Sequence, residues 1–278
     1  MTLQQALLQG TRVLEEAGVA APRLTAEVLL AHALRCERPF LYAHSDRELG
    51  EVEWIHYGRY LHERLQGKPT QYITGRQEYY GREFRVTPDV LIPRPETEFV
   101  VETALEVARN ARRMVDVGCG SGAIAVTLRL ETGAEVLGTD VSAAALQVAA
   151  ENARRLGADV ALIACDLVSA LADQSVDLVV SNPPYVPLDE RAGVQREVRD
   201  YEPPVALFAG PTGFEIYERL LADAPRVLRP GGWLILELGY NSRDRVLGML
   251  GFHWRDVRIA PDLAGIPRVL AARIEGES

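Results

Sequence analysis

Asp116-Val117-Gly118-Cys119-Gly120-Ser121-Gly122 follows a short apolar stretch, Met114-Val115, and opens a helical pattern running from Ala123 to Arg129. A strand, a glycine-rich turn and a helix in that order set a helix N-terminus behind a loop whose backbone a ligand can approach closely. Gly118-x-Gly120-x-x-Ala123 also satisfies the dinucleotide fingerprint, and Asp140 lies at a suitable interval for a ribose hydroxyl. A nicotinamide or flavin cofactor is therefore one reading. The acidic residue two before the first glycine suits instead a ligand with an ammonium group. S-adenosylmethionine carries both an ammonium and a ribose and fits better.

Outward from this loop, strands are expected near 114–118, 135–139, 160–165, 176–181 and 233–238, with helices at about 122–130, 142–156 and 213–228. Such alternation predicts an α/β fold with a doubly wound, mostly parallel, Rossmann-like sheet. The last segments, about 252–259 and 267–274, read as an antiparallel pair that closes it at seven strands. Ligands of these sheets bind beyond the carboxyl ends of the strands. The glycine loop, Asp140, Asp166 and Asn182 all fall at expected strand ends, so they converge on one crevice.

The chain begins differently. Thr2 with Gln5 forms a capping-box pattern, Gly18 closes that helix, Pro22 starts a second, and a third spans Val52 to Gln66. From Gln71 to Ile92 the pattern changes to alternation, and Gly81-Arg82 between β-formers indicates a hairpin. The expected organisation is a helical recognition domain over 1–70, a hairpin linker over 71–92 and a ligand-binding domain over 93–278.

A second motif carries the chemistry. Asn182-Pro183-Pro184-Tyr185 ends the strand-like run Val176 to Ser181. Two prolines stiffen the backbone and remove two N–H donors. The corner can accept both hydrogens of an –NH2 group, one on the Asn182 side-chain oxygen and one on the Pro183 carbonyl. Tyr185 offers a flat ring to stack on a planar amide or base. A dehydrogenase would need a hydride-transfer site here.

Composition narrows the partners. At 47% hydrophobic and 25% charged residues the chain is ordinary globular material. A formal charge of −9 argues against a non-specific nucleic-acid binder, which usually shows a basic face, and permits a protein partner. Lys68 is the only lysine. Cys36, Cys119 and Cys165 have no paired spacing and read as free thiols of a reducing compartment. The five histidines show no ligand spacing, and no metal is expected. With no leader pattern and no run of 18 apolar residues, a cytoplasmic protein without a membrane partner is expected.

The glycine loop, Asp140 and Asn182 to Tyr185 resemble the motifs of class I methyltransferases that modify planar nitrogens. Three stretches narrow the resemblance: Pro88 to Glu98 (with Leu91-Ile92-Pro93-Arg94-Pro95-Glu96-Thr97), Ser181 to Val186, and Tyr201 to Leu207. Together they resemble the peptide chain release factor glutamine N5-methyltransferases, from the first helix to Gly265-Ile266-Pro267-Arg268-Val269. That resemblance implies methyl transfer from S-adenosylmethionine to the glutamine of the Gly-Gly-Gln motif in class 1 release factors. N5-methylation of a ribosomal protein glutamine and N6-adenine methylation of nucleic acid are the alternatives. It also implies roles. Asp116, Gly118, Cys119, Gly120, Ser121 and Gly122 hold the methionine end of the cofactor, Asp140 and Val141 its ribose and adenine, and Asp166 and Leu167 the adenine edge and face. Asn182, Pro183, Pro184 and Tyr185 bind the acceptor amide, with Asn182, Pro183 and Tyr185 catalytic and Asn182 also touching the cofactor.

Overall fold

The computed structural model describes residues 1–276. The chain packs as two compact units: residues 1–76 with 195–201, and residues 77–194 with 202–276.

The first unit is helical: α1 (Leu3–Glu16), α2 (Pro22–Leu34), α3 (Arg38–Ala43), α4 (Glu51–Leu65) and α5 (Thr70–Thr74). Thr2 and Gln5 close the expected capping box, each accepting from the other's backbone N–H. Leu3, Leu7, Leu14, Leu29, Leu30, Tyr57 and Leu61 form its core. Gly10 is required there, because a Cβ would lie 1.9 Å from the Tyr57 hydroxyl. The unit also takes in a short helix, Arg196–Tyr201, which was expected with the ligand-binding domain. Glu197 pairs with Arg64 at 2.6 Å, and Arg196 and Tyr201 both donate to the Gln66 carbonyl, at 2.9 and 3.2 Å. The first unit also runs on to Arg76, past the expected boundary at 70, because α5 belongs with the helices.

The second unit opens on a hairpin, β1 (Arg76–Tyr79, its first residue counted with the first unit) and β2 (Arg82–Arg85). Its two-residue turn is Tyr80-Gly81, both at positive φ, as the twist of a tight hairpin demands. Then come α6 (Glu98–Val107), β3 (Arg113–Val117), α7 (Ala123–Thr132), β4 (Glu135–Asp140), α8 (Ala143–Leu156), β5 (Val160–Ala164) and β6 (Val176–Ser181). After a two-residue strand, β7 (Val186–Pro187), the chain passes through the first unit's helix Arg196–Tyr201 (α9) and returns with α10 (Pro204–Leu207), β8 (Phe208–Gly210) and α11 (Glu215–Val227). β9 (Leu228–Glu237), α12 (Arg243–Met249), β10 (Trp254–Pro261) and β11 (Pro267–Ile274) complete the unit.

The seven-stranded sheet runs β10-β11-β9-β6-β3-β4-β5. β9, β6, β3, β4 and β5 are parallel neighbours, and β11 inserts antiparallel between β9 and β10. The fold is thus the mixed α/β, mostly parallel architecture expected. Both faces are covered, which explains the continuous apolar runs of the central strands. Met114, Leu178, Val180 and Ile235 pack with α6 and α7 on one face, and Val115, Val179, Leu234 and Leu236 with α11 on the other. Each such side chain, fully buried, contributes about 1.5–3 kcal/mol. Strand order reverses between β3 and β6, and that switch opens the crevice at their carboxyl ends.

Candidate active site

At the end of β3 the chain turns through Gly118 and Gly120, at φ +70° and +52°. A Cβ at either position would meet nothing within 4 Å, so these glycines serve the turn and leave open space beside it. The turn is pinned by Gly118 N and Cys119 N, which donate to the Thr139 carbonyl at 2.8 and 2.9 Å. Asp140, the last residue of β4, accepts from Gly120 N at 2.9 Å and from Ser142 N at 2.8 Å, one on each oxygen. A carboxylate has about four acceptor sites, so both oxygens keep capacity for a ligand.

These residues edge a cavity of about 370 Å³. Gly118, Gly120, Asp140, Val141, Asp166, Leu167, Asn182 and Pro184 line it, and Leu91, Val205, Ala206 and Ile216 add apolar wall. Asp166 is ion-paired with Arg219 of α11 at 2.5 Å. Leu167 holds a left-handed φ of +50°, a strained conformation for a leucine at the cavity edge.

The other expected site residues are near but not in this wall. Asp116 is buried beneath the loop: Oδ2 accepts from Ala125 N at 3.0 Å in the first turn of α7, and Oδ1 has no partner among the described residues. Burial pushes its carboxyl up to about 7, against the Ala125 hydrogen bond and with the help of Asp140. The Cys119 thiol packs toward Gly138, where a Cβ would lie 3.0 Å from Sγ, and burial raises its pKa well above the ordinary range. Ser121 is buried and its carbonyl accepts from Asn152, while Gly122 lies against Ala149 at the start of α7. Pro183 is buried, and Tyr185 is partly buried beside Gly239. A Cβ at Gly239 would come within 2.7 Å of the Tyr185 ring.

Asn182 is held from behind. Its Nδ2 donates to Thr97 Oγ1 at 3.1 Å, and Thr97 Oγ1 donates to Glu237 Oε2 at 2.6 Å. Thr97 and Glu237 are both buried. The Tyr79 hydroxyl donates to the Thr97 carbonyl at 3.1 Å, and the Tyr217 hydroxyl to the Glu237 carbonyl at 2.8 Å. Burial pushes the Glu237 carboxyl up to about 7, opposed by the Thr97 hydrogen bond and by Arg268.

Sequence reasoning missed Thr97 and Glu237. Thr97 lay inside a quoted motif, and Glu237 is a lone acid closing the apolar run Trp233-Leu234-Ile235-Leu236 at a strand end, which was a usable signal. Glu202 lies in the third motif stretch, Tyr201 to Leu207. Buried, it pairs with Arg94 and accepts from Ile92 N at 3.1 Å, joining two of the motif stretches beside the cavity.

Comparison with known proteins agrees with this architecture. A family described as PrmC N-terminal domain matches residues 5–75, and one described as Methyltransferase small domain matches residues 96–197. The chain is 45% identical over 277 residues to the release factor glutamine methyltransferase of Koribacter versatilis, covering 98% of this chain and 99% of that one. It is 44% identical over 265 residues to the protein of the same name from Geobacter sulfurreducens, covering 94% and 93%. In fold it is similar to a methyltransferase from Pyrococcus furiosus, with a TM-score of 0.54 and 19% identity over 71% of this chain and 91% of that one. The chain belongs to the release factor glutamine methyltransferase family.

Proposed function

We propose that this methyltransferase uses S-adenosylmethionine to methylate the side-chain nitrogen, N5, of the Gly-Gly-Gln glutamine in class 1 release factors. The observation that carries the reading is the Asn182 amide, anchored through its nitrogen end and lining the same cavity as the glycine loop and Asp140.

The residues suit the cofactor. Asp140 has acceptor capacity for ribose hydroxyls, the unpartnered Asp116 Oδ1 is a candidate for its ammonium, and Val141, Leu167 and Ile216 suit a flat ring. Bound there, S-adenosylmethionine supplies an electrophilic methyl group.

The chain's own work falls on the acceptor. An amide nitrogen is a poor nucleophile because its lone pair is delocalised into the carbonyl. Asn182 Oδ1 and the Pro183 carbonyl accept its two N–H groups, which draws electron density to nitrogen and fixes the lone-pair direction. Tyr185 stacks on the amide plane. Positioning of this kind can supply on the order of 7–11 kcal/mol of a barrier. The alkylated nitrogen is acidic and loses its proton to water, so no strong base is required. Residues 1–70 serve recognition of the protein substrate.

The test offers labelled S-adenosylmethionine to unmodified release factor, to ribosomal proteins and to adenine-containing nucleic acid. Label in the release factor is expected; label only in either of the others would move the substrate assignment.

A further inference from the structure

We propose that Glu237 is a positioning residue, which through the Thr97 hydroxyl fixes which end of the Asn182 amide meets the substrate. The inference rests on the acceptor role given to Asn182 above. The two ends of an Asn amide are alike in shape but opposite in polarity, one an acceptor and one a donor of two hydrogens. Something must choose between them. If the wrong end faced a substrate –NH2, donors would oppose donors and the site would repel what it is built to hold.

The choice follows from the hydrogen-bond order. An ionised carboxylate can only accept, so the Thr97 hydroxyl must spend its single hydrogen on Glu237 Oε2, at 2.6 Å. The Thr97 oxygen then faces Asn182 with lone pairs alone. It must receive a donor, which is Asn182 Nδ2 at 3.1 Å. Oδ1 is left for the substrate. A protonated Glu237 could instead donate to Thr97, freeing the hydroxyl hydrogen to point at Asn182. The amide would then gain by turning over and presenting –NH2 to the substrate.

Each member is held so that it cannot evade this order. Thr97 is tied by the Tyr79 hydroxyl and by its own N–H to the Arg94 carbonyl. Glu237 ends β9, its carbonyl tied to Tyr217 of α11 and its register set by Val269 of β11. The charged groups around the carboxyl come from several elements. Arg268 of β11 and Arg94 before α6 favour its ionised form, and Glu96 opposes it. The hydroxyls of Tyr79, Tyr185 and Tyr217 also feel its charge. Because burial brings this carboxyl up to about 7, its protonation state changes across neutral pH.

Two measurements test the assignment. In the first, kcat for release-factor methylation is followed against pH in wild type, Glu237→Gln, Thr97→Val and Thr97→Ser. Wild-type kcat is expected to fall as pH drops through about 7. Glu237→Gln and Thr97→Val are expected to lose that limb and to lower kcat by on the order of 10²-fold, with KM for the release factor little changed. Thr97→Ser, which keeps the hydroxyl, is expected to restore both. A wild-type pH limb surviving in Glu237→Gln would overturn the proposal, and so would a full kcat in Thr97→Val. In the second, the side-chain amide signals of Asn182 are followed by NMR in wild type alone, with neither cofactor nor substrate. A titration near pH 7 is expected, and Asn182 –NH2 hydrogens that show no hydrogen bond to Thr97 above pH 7 would overturn the proposal even if every variant failed to fold. This readout does not depend on the substrate, so a wrong substrate assignment would leave it standing.

Discussion

Asn182 Nδ2 and Thr97 Oγ1 lie 3.1 Å apart, 85 residues distant in sequence, and in the proposed reaction that bond leaves Asn182 Oδ1 for the incoming amide. With its nitrogen end tied inward, Asn182 presents an acceptor. Asn182→Ala is therefore expected to reduce turnover by roughly 10²–10³-fold, the scale for losing one preorganised polar group. Cofactor affinity, measured by calorimetry on the same variant, is expected to change little; a matching loss of affinity would contradict the acceptor assignment.

Tyr185 and Gly239 make a second pair. A Cβ at Gly239 would approach Cδ2 of the Tyr185 ring to 2.7 Å and Ser242 Oγ to 2.9 Å. Gly239→Ala should displace the ring with the fold intact, and kcat should fall on the order of 10²-fold, as for a misplacement of about 1 Å. Tyr185→Phe should be mild and Tyr185→Ala severe. Equal losses in those two variants would assign the work to the hydroxyl rather than to stacking.

Asp116 and Glu237 are buried carboxyls whose folded-state values, each about 7, stand above the ordinary 3.8 and 4.5. The folded chain therefore holds these protons more tightly than the unfolded chain does. Their contribution to stability is complete below the ordinary values and is lost as pH rises through about 7. Asp116→Asn keeps an acceptor for Ala125 N and removes the buried charge. Its Tm relative to wild type should rise as pH increases from the acid range to above 7, while cofactor affinity falls. A Tm difference independent of pH would contradict the burial argument.

Much of this was legible in the sequence, for local reasons. Glycines at positive φ mark the loop, and apolar runs buried on both faces mark the parallel strands. Prolines mark the stiff corner after β6. What was not legible depends on pairs far apart in the chain. Thr97 and Glu237 are 140 residues distant, and no periodicity ties a threonine before one helix to a glutamate ending a later strand. That the helix Arg196–Tyr201 packs with the first unit is illegible for the same reason, since one of its ties there is Glu197 to Arg64, 133 residues away. The insertion of β11 between β9 and β10 is likewise a matter of pairing that neither strand's own pattern records. Asp116 falls inside the strand expected over 114–118, as it does in β3, but whether its oxygens line the cavity or lie beneath the loop depends on how α7 packs above it.

Glu202 gives a stability test of the motif segments. Glu202→Ala leaves the buried Ile92 N–H without its acceptor, which should cost about 1–3 kcal/mol in urea denaturation. Glu202→Gln keeps an acceptor and should cost less. Equal costs would assign the effect to the Arg94 ion pair instead.

In the proposed reaction the acceptor atom is a glutamine side-chain nitrogen. Fragmentation mass spectrometry of release factor methylated by the purified protein tests it most directly. One methyl on the Gly-Gly-Gln glutamine, strongly reduced at equal reaction time when Asn182→Ala replaces the wild type, is the expected result. A methyl on any other residue, or undiminished glutamine methylation by the variant, would contradict it.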